Sequence, residues 1–316
     1  MPGADLAGPA GGCVVGRFAP SPSGPLHFGS MVAALGSSLS ARAAGGRWLL
    51  RIEDVDGPRT VAGAEALILA DLERHGLHWD GEVLRQSRRT AVYEAALAQL
   101  QAAGRLYACT CSRARLAASG AASGPAGLVY PGFCRNAGHA QAPGRALRLR
   151  IDDAMTVGFT DRLQGPQAQC LGREVGDHVL RRADGLIAYA LAVVVDDGAQ
   201  DVTHVVRGAD LLTSTPRQIF LQQQLGLPQP AYLHLPLVTD ARGDKLSKLT
   251  RAPPLPGGDP RPALHEALAF LGQPQPPAGL SATELLERAV RAWDCNSLPA
   301  SPGRTWAGTL TLATGP

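Results

Sequence analysis

The chain has 316 residues, 45% of them hydrophobic and 18% charged, with a formal net charge of +3. That balance suits a globular protein with a sizeable core in two domains, and no run approaches the roughly 18 apolar residues of a membrane span, so a cytoplasmic protein without a membrane partner is expected. So small a net charge permits an anionic partner without requiring one, and six cysteines in this length argue against a dense secreted disulfide framework.

Residues 1–12 hold neither a basic start nor an apolar run and are expected to be disordered. Residues 13–19, CVVGRFA, predict a strand, followed by a Pro-Ser-Pro-Ser-Gly-Pro turn and a small-residue-rich helix over 28–44. A second strand is predicted over 48–52. Helices follow over 60–75, closed by Gly76, and over 88–103, closed by Gly104. This alternation over 13–108 predicts the first half of an α/β doubly wound parallel sheet. Ligands of such sheets bind beyond the carboxyl ends of the strands, where Arg17, the Pro-Ser loop and Glu53 fall.

Residues 109–185 break the pattern with a cysteine cluster, a Ser/Gly/Ala/Pro stretch and the strand candidate ALRLRI, and read as an insertion. The sheet pattern resumes over 186–250, with apolar, strand-like runs at 186–195 and 202–207 and a helix over 214–225. Residues 251–316 predict a Pro-rich joint, two short helices at 263–271 and 283–293, and a tail.

The segment RFAPSPSGPLHFGS sets Gly24, Gly29 and Ser30 around His27 at a loop-to-helix junction. Free backbone N–H groups and the positive end of a helix dipole there favour an ATP phosphate, although an ordinary strand-turn-helix joint looks much the same. Of the 30 basic residues 28 are arginine, and the two lysines, Lys245 and Lys248, share the run KLSKL. Lysine kept only there points to a need for compact, mobile ammonium groups, as at a phosphate.

Arg17 and Arg207 each follow a short apolar run that carries them to a sheet edge, where a planar guanidinium can grip a carboxylate; with 28 arginines in the chain, plain surface roles compete. Cys109, Cys111 and Cys134 offer three thiolates to a structural Zn²⁺. Tyr130 and His139 compete for the fourth position, and chemistry alone favours the histidine; three buried free cysteines are the plain alternative.

HFGS and KLSK, with LRIEDVD and VVRGADLL between them, resemble the HIGH and KMSKS signatures and flanking runs of the glutamyl- and glutaminyl-tRNA synthetase group of class I aminoacyl-tRNA synthetases, over residues 13–250. HFGS together with CxC…YxxxC is similar to the glutamyl-Q tRNA(Asp) synthetase subfamily. Serine stands at position 30 where the wider class has a second histidine, and Leu246 replaces the signature methionine.

The resemblance implies a Rossmann-like catalytic domain with a zinc-stabilised, acceptor-end-type insertion and a short helical C-terminal region. It implies a ligase that activates L-glutamate with ATP and Mg²⁺, without tRNA, and passes it to the queuosine base of tRNA(Asp). Catalysis would fall to His27, Lys245 and Lys248, with ATP held by Pro20, Ser21, Gly24, His27, Gly29, Ser30 and Lys248. Arg17, Phe18, Ala19, Pro20, Ser21, Glu53, Tyr189 and Arg207 match the glutamate pocket, with Glu53 on the substrate ammonium and a hydroxyl donated by Tyr189. Tyr130 would join Cys109, Cys111 and Cys134 on zinc, and Arg113, Arg115, Arg135, Arg145, Arg148 and Arg150 could meet tRNA phosphates.

The stretch after KLSK is too short for the helical anticodon-reading domains of ordinary glutamyl-tRNA synthetases, and a monomer is expected. The rival readings are a truncated glutamyl-tRNA synthetase charging tRNA(Glu), another adenylate-forming nucleotidyltransferase, and a non-catalytic zinc-stabilised RNA-binding module.

Overall fold

The computed structural model describes residues 13–125, 127–246, 252–306 and 308. Residues 1–12, expected to be disordered, and Lys248 of the KLSK run lie outside the described residues.

The chain opens with β1 (Val15–Phe18), α1 (Phe28–Ala43), β2 (Arg47–Ile52), α2 (Ala64–Arg74), β3 (Leu84–Arg85) and α3 (Thr90–Ala102). β1 pairs in parallel with β2, and β2 with β3. Next come β4 (Leu106–Cys109), α4 (Arg113–Ala118), β5 (Ser123–Gly124), β6 (Gly127–Leu128), β7 (Ala146–Leu149), β8 (Thr156–Asp161), β9 (Gly165–Cys170), α5 (Leu171–Glu174) and β10 (Val179–Arg181). The remainder supplies α6 (Tyr189–Ala199), β11 (His204–Gly208), α7 (Thr215–Leu225), β12 (Ala231–Leu235), β13 (Leu237–Thr239), α8 (Arg261–Phe270), α9 (Ala282–Ala292) and β14 (Gly303–Thr305).

β11 pairs in parallel with β12, and the Thr203 amide just before it donates to the Val15 carbonyl at 3.0 Å. The parallel strands therefore run β3-β2-β1 beside β11-β12, and the direction of winding reverses between β1 and β11. Such a switch point opens a crevice at the carboxyl ends of the two strands, and Arg17 and Arg207 sit on them there.

Side chains alternate across the sheet, as a pleated backbone requires. Trp48, Leu50 and Ile52 of β2 face α1, α8 and α9, whereas Leu49 joins the core under α3, α6 and α7. Covered on both faces, the strands read as nearly continuous apolar runs. α1 lies close against the sheet because its face is small: a Cβ on Gly36 would come within 2.6 Å of Leu235 Cδ1. Met31, Leu35 and Leu39 are fully buried on that helix, each stabilising by about 1.5–3 kcal/mol.

Two sequence expectations differ from the structure. The run at 186–195, read as a strand, is largely the helix α6. Leu191 to Val195 are all buried, so no polar face reveals a helical period, and three consecutive valines mimic a strand. The helix expected to start at 60 starts at Ala64, after Gly63 turns the chain at φ 77°.

Residues 109–185 divide in two. β7 pairs antiparallel with β4 and β10 in a small sheet carrying the cysteine cluster, while the β8–β9 hairpin joins the main sheet where Asp161 pairs with Tyr232 of β12. α8 and α9 pack on α1, and β14 pairs in parallel with β13. Among the described residues no helix is long and apolar enough to cross a membrane.

Candidate active site and cysteine cluster

The loop after β1 turns at Gly24, whose φ of 143° suits glycine, and delivers His27 to the N-cap of α1. Its Nδ1 accepts the Ser30 amide at 3.2 Å, capping one of the donors that a helix start leaves unsatisfied. A cleft of about 630 Å³ lies over this end, lined among others by Ser21, His27, Gly29, Ser30, Asp210 and Lys245; Pro20 and Phe18 also border it. Lys245 pairs with Asp210 at its rim. A Cβ on Gly29 would meet the His27 ring at 3.2 Å and the Leu246 carbonyl at 3.5 Å, so the lysine-bearing loop passes directly over the helix start. His27 and Lys245, distant in sequence, thus share one cleft suited by its helix dipole to phosphate.

Arg17 near the end of β1, Glu53 just after β2, Tyr189 at the first residue of α6 and Arg207 near the end of β11 lie close enough to act on one another's charge. Phe18 stacks on Trp48 in the core, and half-buried Ala19 follows it. The Glu53 amide donates to the Pro20 carbonyl at 3.0 Å, tying this residue to the loop that borders the cleft. Glu53 Oε1 is buried without a hydrogen-bond partner. Burial drives its carboxyl up to about 7, a rise that Arg51 and Arg17 only partly offset. Burial and the Glu53 carboxylate likewise raise the Tyr189 hydroxyl, keeping it a donor.

Arg207 donates from Nε to His234 Nε2 at 3.1 Å, and from Nη2 to Thr215 Oγ1 at 2.9 Å and Gln218 Oε1 at 2.7 Å. Its buried Nη1 has no partner. Unsatisfied buried groups are costly, and here a guanidinium donor of Arg207 and a carboxyl acceptor of Glu53, near enough for Arg207 to act on the Glu53 charge, both lack partners. A carboxylate would satisfy the first of these groups and an ammonium the second.

Sequence reasoning missed Asp197, which holds both Arg17 and Arg51, and the buried pair Asp161–His234 behind Arg207. The two acids that end the apolar run LAVVVDD were an available signal, since unpaired carboxylates are rarely buried.

In the small sheet, the sulphurs of Cys109, Cys111 and Cys134 lie within 4.8 Å of one another. The Tyr130 hydroxyl sits 3.3 Å from Cys109 Sγ and 3.7 Å from Cys111 Sγ and accepts the Cys134 amide at 2.9 Å. Burial pushes the Cys134 thiol up, but hydrogen bonds from Thr110, Tyr130 and Cys111 outweigh it and lower the thiol to about 6. His139 is not among the clustered ligand atoms. Three soft donors with a phenol at the fourth corner fit a structural metal site.

A second cleft, of about 750 Å³, runs from this cluster past Arg148, His178 and Arg182 to Arg217. Arg148 stacks 3.8 Å over Tyr130 and donates to the Asp177 carbonyl, and Arg135 pairs with Asp177 and Asp153. Arg150 is spent on Asn136 and the Arg135 carbonyl, and Arg145 on the Ala140 carbonyl. Exposed Arg113, which lines the cleft, and Arg115, over the Phe133 ring, remain accessible for phosphate.

A family model described as tRNA synthetases class I (E and Q), catalytic domain, matches residues 13–272. The glutamyl-Q tRNA(Asp) synthetase of Ectopseudomonas mendocina is 56% identical over 290 residues, 91% of this chain and 95% of that protein. Its counterpart from Thiobacillus denitrificans is 53% identical over 290 residues, 91% of this chain and 96% of that protein. The crystal structure of glutamate-tRNA synthetase from Elizabethkingia anophelis superposes with a TM-score of 0.78 at 24% identity, over 94% of this chain and 68% of that one, a likeness of fold. The chain belongs to the class I aminoacyl-tRNA synthetase ligases of the glutamate and glutamine group, among the glutamyl-Q tRNA(Asp) synthetases.

Proposed function

We propose that the chain activates L-glutamate with ATP in the absence of tRNA and transfers it to the queuosine base of tRNA(Asp), acting as a cytoplasmic monomer. One observation carries the reading: the loop bordering a phosphate-suited cleft with His27 and Lys245 is tied to Glu53, whose buried Oε1, like Nη1 of nearby Arg207, has no partner. Glutamate supplies an ammonium for Glu53 and a carboxylate for Arg207.

The enzyme need provide no nucleophile. The substrate α-carboxylate attacks the α-phosphorus of ATP, the bond to the bridging oxygen breaks, and pyrophosphate leaves. The chain contributes position and charge. Arg17, fixed by Asp197, and Arg207 orient the carboxylates, and Tyr189 donates a hydrogen bond. His27, the start of α1, Lys245 and Lys248 of the KLSK run steady the triphosphate, and Mg²⁺ would supply further positive charge to the phosphates.

The cysteine cluster with Tyr130 fits Zn²⁺, which would brace the small sheet that borders the arginine-lined cleft. That cleft offers room for an RNA nucleotide between the cluster and Arg217. Charging tRNA(Asp) from cells with and without the queuosine pathway tests the acceptor, with tRNA(Glu) as a third arm. Only queuosine-bearing tRNA(Asp) should accept glutamate; equal charging of the queuosine-free form, or charging of tRNA(Glu), refutes the assigned acceptor.

A further inference from the structure

We propose that Asp161 and His234 are positioning residues for amino-acid selection, which fix Arg207 so that Nη1 is presented to a glutamate carboxylate; the inference rests on the reading that Arg207 binds that carboxylate. An arginine has five N–H donors and no acceptor. In Arg207 the Nε and Nη2 groups are committed inside the protein, and the Nη1 group is left for a ligand. Its Nε–H can only donate, so His234 Nε2 must accept, and the imidazole proton must sit on Nδ1. There Asp161 Oδ2 receives it at 2.6 Å.

Asp161 is itself locked. Its Oδ1 accepts the amides of Leu163, Gln164 and His234 at 3.0, 2.8 and 3.2 Å, and both Asp161 and His234 side chains are 0% exposed. The carboxylate comes from the end of β8 and the imidazole from β12, so a hairpin outside the parallel core sets the tautomer of a histidine on a core strand. A histidine packed merely for stability would not need its acceptor face turned to a guanidinium with spare donors. Here the proton location on one ring decides whether Arg207 is held or repelled.

The test is the asparagine variant D161N with two variants of the histidine. The three backbone amides hold the asparagine carbonyl in place and leave its NH₂ facing His234 Nδ1. The imidazole proton then moves to Nε2 and opposes Arg207 Nε–H. In pyrophosphate exchange the KM for glutamate should rise about ten- to a hundredfold, the range for one lost hydrogen bond to a charged group, with the KM for ATP unchanged. H234Q can still accept from Arg207 and donate to Asp161 and should stay within a few-fold of wild type, whereas H234L, which can do neither, should match D161N. If D161N fails to fold, the glutamine–leucine comparison decides. Equal glutamate KM in H234Q and H234L, or a KM for ATP rising in step with that for glutamate, overturns the proposal. Calorimetric titration of wild type with L-glutamate separates the two levels: no binding contradicts the assigned substrate, while tight binding with indifferent variants contradicts only the relay.

Discussion

Asp197 Oδ1 lies 3.2 Å from Arg17 Nε, with only 6% and 3% of the two side chains exposed. The same oxygen accepts Arg51 Nη2 at 2.7 Å, so one carboxylate anchors two buried guanidinium groups. Burial alone would raise the Asp197 carboxyl and depress Arg17. Their attraction prevails, holding Asp197 below the usual carboxylate range and Arg17 above the usual arginine one. D197A would leave two buried cations uncompensated. Denaturant unfolding should show a loss of about 3–5 kcal/mol, the cost of breaking a buried pair by removing one partner; a loss under about 1 kcal/mol, as at exposed pairs, would mean water reaches the site.

Glu53 is the reverse case, with burial lifting its carboxyl from 4.5 to about 7. The folded chain therefore binds this proton more tightly than the unfolded chain. The contribution is stabilising below pH 4.5 and is lost as pH rises to about 7. E53Q, neutral throughout, should remove that slope and leave the unliganded protein more stable than wild type above neutrality, while weakening glutamate binding at least tenfold, about the effect of losing one charge-assisted contact. Thermal unfolding against pH and calorimetry read the two effects. An unchanged slope in E53Q would place the titration on another group.

The cysteine cluster should carry about one zinc per purified chain, with C134S losing most of it, since the closed tetrahedral site needs all its ligands. Metal analysis gives the content, and chelation of wild type should expose the small sheet of β4, β7 and β10 to hydrogen exchange before the parallel core. Simultaneous exchange of both sheets would show that the metal braces the whole domain.

Lys245 and Asp210 pair at a surface with 44% and 36% of their side chains exposed, a kind of contact worth no more than about 1 kcal/mol. K245A should therefore leave the melting temperature close to wild type while slowing glutamate activation about a hundredfold, as expected when one group that stabilises charge on the reacting phosphates is lost. Activation within a few-fold of wild type would remove Lys245 from catalysis.

What could be read from sequence depended on how local the physics was. The loop-to-helix junction at His27 and the arginines near the ends of β1 and β11 follow from neighbouring residues, whereas the capping of α1 by the His27 ring carried no sequence signal. α6 was misread because burial on every side erased its period. The Asp161–His234 pair spans 73 positions, and Arg51 reaches Asp197 across 146; no local pattern marks such partners. The sequence left the fourth metal position between Tyr130 and His139, and of these two the fold brings the tyrosine hydroxyl to the sulphurs.

The most direct measurement is exchange of labelled pyrophosphate into ATP with no tRNA present. Label should enter ATP with L-glutamate and stay at background with L-glutamine, whose neutral amide leaves a buried guanidinium uncompensated. Background exchange with glutamate, or equal exchange with the two amino acids, would contradict a nucleotide cleft joined to a pocket for an acidic amino acid.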